Sequence, residues 1–142
     1  MNNQQFLRAT ICGIAILSTN DVTMQTQIGG DTASISGVGG DPYERVQSAS
    51  FTETLDEEGD YVRQELECVY TDTQLSFMKG KRGWVKEDCI ILIRYSSGDV
   101  LVVGTDLVPA RCTFESGGSP RTVRLSIKRN SPEFAKILES LS

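Results

Sequence analysis

The chain should fold as a mainly β protein, an antiparallel β-barrel or β-sandwich with a short C-terminal α-helix. Three observations predict this. Val, Ile and Thr together number 33 against six Ala, and β-branched side chains favour pleated strands over helices. Residues 61–70 and 122–128 alternate apolar and polar positions, as half-buried antiparallel strands do. Turn residues recur at short intervals between such runs, as hairpin-connected strands require. At 142 residues, 37 of them Leu, Ile, Val or Phe, the whole of 1–142 reads as one domain with a core of its own.

The elements follow in order. Residues 6–17, FLRATICGIAIL, read as the first core strand, or two with a bend at Gly13. They lack the cationic start and cleavage site of a signal peptide and are too short to span a bilayer. Val22 to Ile28 alternates as a second strand. Residues 29–42 hold five glycines, a permissive backbone that predicts a Gly-rich loop or arm. Strands at 46–55 and 61–70 flank the tip DEEGD, with Val62, Leu66, Cys68 and Tyr70 on one face and Arg63, Glu65 and Glu67 on the other. Residues 74–78 suit another short strand, and 79–83, KGKRG, form a basic loop.

Cys89-Ile90-Ile91-Leu92-Ile93 lacks alternation, so it should be central and covered on both faces. The turn at 96–99 leads into Val100 to Val103. A second hairpin runs from Ala110–Phe114 through a Gly-rich turn to Val123, Leu125 and Ile127, all inward, with Thr122, Arg124, Ser126 and Lys128 outward. At the end Ser131 suits an N-cap and Pro132 the first helical position. Phe134, Ile137, Leu138 and Leu141 then recur at helical spacing, predicting a helix over 132–141. So short a helix is marginal alone, and should close the end of the fold or dock on a neighbouring subunit.

Composition narrows the function. There is no histidine, which removes Ser-His-Asp and Cys-His chemistry and His-containing zinc sites. The net charge of −5 opposes a general nucleic-acid grip. The four cysteines, Cys12, Cys68, Cys89 and Cys112, are too far apart for a zinc knuckle or redox pair and read as buried free thiols, with a structural disulfide as the other possibility. No motif marks a catalytic, cofactor or metal site. The expectation is a protein without enzymatic activity, needing no cofactor and inserting in no membrane.

Two charged loops remain as candidate contact surfaces. Asp56, Glu57, Glu58 and Asp60 cluster at one turn, which reads as a solvated tip; their spacing does not match an EF-hand loop. Lys79, Lys81 and Arg82 lie beside Trp84, either as a solvated loop over that ring or as an interface. In the interface reading, the basic loop of one copy meets the acidic tip of the next. Such head-to-tail contact generates rings or tubes. Arg121, Arg124, Lys128 and Arg129 form a further basic stripe, read as an outer strand face.

Residues 89–128, CIILIRYSSGDVLVVGTDLVPARCTFESGGSPRTVRLSIKR, resemble small β-rich virion proteins of tailed bacteriophages in their succession of hydrophobic strand, short polar hairpin, Gly-Thr…Pro-Ala turn and Gly-rich hairpin. The resemblance covers the last third of the chain. It implies a tail tube or tail/connector ring subunit that meets copies of itself and other virion proteins, made in the host cytoplasm and ending in the virion. It also implies rings joined through strand edges, loops and arms for DNA passage, without sequence-specific nucleic-acid binding. A monomeric ligand-binding β-barrel is the alternative from another class.

Overall fold

The computed structural model describes residues 10–26, 30–70, 88–105, 108–117 and 122–142. Ten strands fill it: β1 Ile11–Ser18, β2 Thr23–Thr26, β3 Thr32–Ser36, β4 Val46–Leu55, β5 Val62–Tyr70, β6 Cys89–Tyr95, β7 Val100–Val103, β8 Thr113–Gly117, β9 Thr122–Ser131 and β10 Lys136–Leu141. They form a six-stranded sheet, β1-β6-β7-β10-β3-β2, and a four-stranded sheet, β4-β5-β9-β8. Every ladder is antiparallel except β10 with β3. Neither sheet closes into a barrel.

The first sheet buries both faces. Cys89, Ile91 and Ile93 of β6 join Ile14, Leu66, Cys68, Tyr70, Val123, Leu125 and Ile127 in a core between the sheets. Ile90 and Leu92 point the other way, to a second core with Ala15, Leu17, Met24, Ala33 and Ile35. That second core exists because the sheet rolls. β1 and β2 are its opposite edges, yet only residues 19–22 separate them. Six flat strands would span about 24 Å, whereas the five chain steps from Ser18 to Thr23 reach at most about 19 Å.

The alternation read in β5 and β9 is present, with Val62, Leu66, Cys68, Tyr70, Val123, Leu125 and Ile127 buried. β6 is central and covered on both faces, as its unbroken apolar run implies. The glycine-rich stretch holds an unforeseen strand: in β3, Ala33 and Ile35 face the second core while Thr32, Ser34 and Ser36 face away. Residues 37–45 then carry the chain to the second sheet, along β1. Glu44 exchanges two backbone hydrogen bonds with Ile14 (3.1 and 2.9 Å), and the Arg94 guanidinium lies 4.3 Å over the Tyr43 ring.

The C-terminal helix is not formed; residues 136–141 are β10, seated between β7 and β3. Two open strand flanks supply hydrogen bonds along β10, which outweighs the weak propensity of so short a helix. Ser131 makes a turn instead of a cap: its Oγ donates to the Glu133 carbonyl (2.7 Å) and accepts from the Glu133 N–H (3.3 Å). The spacing that mimicked a helix has another cause. Leu138 and Leu141 both pack on the second core, and a bulge between Leu138 and Ser140 brings them to one face. Phe134 and Ile137 stay exposed, 52% and 50%. The short strand expected at 74–78 lies outside the described residues. Among the described residues no helix is long and apolar enough to cross a membrane.

Gly104 is the tightest point of the frame. It has φ +89°, and a Cβ there would stand 2.9 Å from the Ala110 nitrogen and 3.1 Å from the Cys89 carbonyl oxygen. Gly104→Ala should cost about 2–4 kcal/mol, combining a left-handed alanine with a clash against backbone. Gly59, with φ +76° and open space around it, should cost only about 1 kcal/mol on the same change. Urea unfolding midpoints of the two variants check both values.

Candidate self-association surface

The acidic tip is a built turn. The Asp56 N–H donates to the Tyr61 carbonyl (2.9 Å) and the Gly59 N–H to the Asp56 carbonyl (2.8 Å). Asp56 Oδ2 also accepts from the Glu58 N–H (3.2 Å). Glu57, Glu58 and Asp60 are exposed and Asp56 half-buried. Carboxylate oxygens of Asp56, Glu58 and Asp60 lie within 4.8 Å of one another, a crowding of like charge that any approaching cation relieves. The other half of the expected pair, Lys79, Lys81, Arg82 and Trp84, lies outside the described residues, as does Arg121.

Strand edges are the second feature. The four-stranded sheet ends in β4 and β8, and no described strand pairs with their outer flanks. β4 runs ten residues, VQSASFTETL, without Pro or Lys, the residues that usually blunt an edge. Its one charge, Glu53, faces inward. The first sheet is better protected. Glu44 covers the middle of β1, and β2 has four residues. The outer face of the second sheet carries both signs: Arg124 pairs with Glu67 (3.2 Å) and Arg63 with Glu65 (2.8 Å), all four largely exposed. Arg124 and Lys128 thus belong to a solvated outer face, whereas Arg129 does not belong to that stripe. It lies on the Ile127 side of β9 and turns inward.

At the tip end, the inner face of the second sheet changes character row by row. Phe51, Leu66 and Ile127 stand abreast, then Glu53, Gln64 and Arg129, then Leu55, Val62 and Ser131. The polar row is tied together and to the link before β10. Gln64 Nε2 and the Ala135 N–H both donate to Glu53 Oε2 (2.8 and 2.6 Å). Arg129 donates to Gln64 Oε1 (3.4 Å) and to the Val108 carbonyl (2.9 Å), and burial lowers its pKa from the usual arginine value. Lys136, buried, pairs with Glu133 (3.0 Å) and donates to the Gly30 carbonyl. A cavity of about 30 Å³ among Gln64, Arg129, Ser131 and Lys136 has room for one or two waters. Parity along β5 and β9 carried the signal for this row: Gln64 lies between inward Val62 and Leu66, and Arg129 is two beyond Ile127.

Two further recesses lie elsewhere on the described surface, one beside β2 and β3 and one by Phe134 and Ala135. The first, about 540 Å³, is open and polar and runs past Gln25, Thr26, Thr32, Ser34 and Glu139. A small-molecule site is usually enclosed and mostly apolar. Cys68, Cys89 and Cys112 are buried and Cys12 is exposed. Burial raises the Tyr70 phenol well above its ordinary pKa, with the Cys68 thiol beside it, so it stays neutral in the core.

Glu53→Ala would strand the Gln64 amide and the Ala135 N–H, and should cost about 2–4 kcal/mol. Glu53→Gln keeps an acceptor oxygen for both donors and should cost about 1 kcal/mol; chemical denaturation of the two variants separates these outcomes. Comparison of the chain with protein-family models, curated proteins and solved structures finds no match.

Proposed function

We propose that the chain is a non-enzymatic structural subunit that assembles with its own copies into rings or a tube, as a tail tube or tail/connector ring protein of a bacteriophage does. The observation that carries this reading is the pair of edges on the second sheet, β4 and β8, with whose outer flanks no described strand pairs. β4, β5, β9 and β8 alternate in direction, so β8 runs antiparallel to β4. An even number of alternating strands lets β8 of one copy add antiparallel to β4 of the next, and the sheet continues unbroken. Such an edge-to-edge contact is head-to-tail and leaves a free edge at each end of the growing array, so it closes into a ring or propagates. The undefended β4 edge fits a strand that meets a partner.

Charge supports the same reading. Four acids sit at the β4–β5 tip, and Lys79, Lys81 and Arg82 fall within four residues of sequence. The monomeric ligand-binding alternative needs an enclosed apolar cavity, whereas the recess beside β2 and β3 is open and polar.

Sedimentation velocity and electron microscopy at rising concentration test the proposal; a chain that stays monomeric at the highest concentrations refutes it. Ser50→Lys with Thr52→Lys places two cations on the exposed β4 flank. These changes should weaken association at least tenfold while leaving stability within about 0.5 kcal/mol. Lys79→Glu, Lys81→Glu and Arg82→Glu together should also weaken assembly, and added salt should do so in the wild type.

A further inference from the structure

We infer that Glu53 couples strand addition on β4 to the link between β9 and β10. A strand laid on the outer flank of β4 fixes the Glu53 backbone, and the Glu53 carboxylate then holds the link. The inference rests on the self-assembly proposed above and names its regulation: a joint made at the edge of the second sheet acts on the start of β10, in the first. The phase of the β4–β5 ladder sets Glu53 in this position. The Asp56 N–H donates to the Tyr61 carbonyl (2.9 Å), in the register that pairs Leu55 with Val62 and Glu53 with Gln64. Along an antiparallel pair, residues that exchange backbone bonds alternate with residues that do not. Thr54, Thr52 and Ser50 therefore bond to β5. Leu55, Glu53, Phe51 and Ala49 turn their N–H and C=O groups to the outer flank, with which no described strand pairs. Of these four, Glu53 is the one with a polar side chain. It faces inward, where Oε2 accepts from Gln64 Nε2 (2.8 Å) and from the Ala135 N–H (2.6 Å).

Both partners of this tie are lightly held. β4 runs ten residues without one that is buried, whereas β5 beside it buries five of nine. A strand with so little burial and a single ladder opens at low free energy. A neighbour's strand on its outer flank would supply the second ladder. The link, residues 132–135, is held at its start by Ser131, whose Oγ bonds to Glu133 (2.7 and 3.3 Å). Beyond its end, the Ile137 N–H donates to the Asp31 carbonyl (2.7 Å), and buried Lys136 pairs with Glu133 (3.0 Å). Between those ties, Ala135 reaches the second sheet through Glu53. Phe134 beside it is 52% exposed, so burial contributes little to holding the link at that point. A carboxylate on an ordered strand is a better acceptor than one on a strand that opens. The effect is reciprocal, because whatever steadies the link also steadies β4 for its partner.

Hydrogen–deuterium exchange of the full chain reads the coupling at the Ala135 amide, at a dilution where the chain is monomeric and at a concentration where it is assembled. Assembly should slow exchange there about tenfold. It should not do so in Glu53→Ala, whose link has lost its acceptor. By sedimentation, Glu53→Ala should associate about tenfold more weakly than Leu17→Ala, a control that loses stability in the second core. Glu53→Gln keeps an acceptor oxygen and should associate nearly as the wild type does. Equal Ala135 exchange in the monomeric and assembled wild type overturns the inference and leaves the proposed function standing. Slowing that persists in Glu53→Ala overturns it too, because a neighbour then covers the link directly. So does association of Glu53→Ala equal to that of Leu17→Ala. A wild-type chain that stays monomeric removes both readings, and is recognised without any variant. If Glu53→Ala fails to fold, Glu53→Asp takes its place with the same outcomes, since it keeps the charge and draws the carboxylate back by one methylene.

Discussion

One strand has to face two cores. The run from Cys89 to Ile93 is fully buried, odd positions turned to the space between the sheets and even positions to the hollow of the rolled sheet. A central strand apolar on both faces is stable only if both are covered, and the rest of the architecture meets that demand. The second sheet covers one face. The roll that brings β2 and β3 round to Ala15, Leu17 and Leu92 covers the other. The short link from β1 to β2 holds the roll, and Glu44 on β1 pins the crossover that leaves it.

The chain passes between the sheets four times, and two of these links are tied by polar groups. Residues 37–45 run along β1, held by the Ile14–Glu44 bonds and the Tyr43–Arg94 stack. Residues 132–135 pass from β9 to β10 beneath the Glu53–Gln64–Arg129 row, which takes up the Ala135 N–H. Burying a carboxylate and an amide is costly unless their bonds are made. Here the bonds fix the angle at which the chain changes sheet. The same link presents Phe134 to solvent, so packing at the sheet junction determines where that ring sits.

Much of the strand plan was legible because parity is a strong signal. β5 and β9 alternate cleanly, and the unbroken run of β6 marked it as central. β3 was hidden because its inward residues, Ala33 and Ile35, stand in a stretch dense with glycine and hydroxyls, where local composition outweighs a two-residue pattern. β10 misled for a different reason. A bulge puts Leu138 and Leu141 on one face at a spacing that a helix also gives, and vacant flanks on β7 and β3 decided between them, a tertiary fact no local window contains. Of the candidate surface, the acidic tip was read directly from the DEEGD turn. The polar row is readable in principle, because parity with Ile127 turns Arg129 inward, away from Arg124 and Lys128. The exposure of Phe134 depends on how the link before β10 packs, and sequence spacing does not encode that.

Replacing a terminal helix by β10 also changes where contacts between copies can arise. A helix packed on the outside would have offered an amphipathic face to a neighbour. β10 is paired on both flanks, with β7 and β3, and Ser142 exchanges backbone bonds with Ile35 and Val38, so the C-terminal strand has no free edge to lend. Among the described residues, unpaired strand backbone therefore lies on β4 and β8 of the second sheet. A fold holding one open edge alone would stop at a pair. The alternating, even-stranded second sheet is thus the element on which the proposed assembly depends, and the rolled first sheet is the rigid backing that holds it in shape.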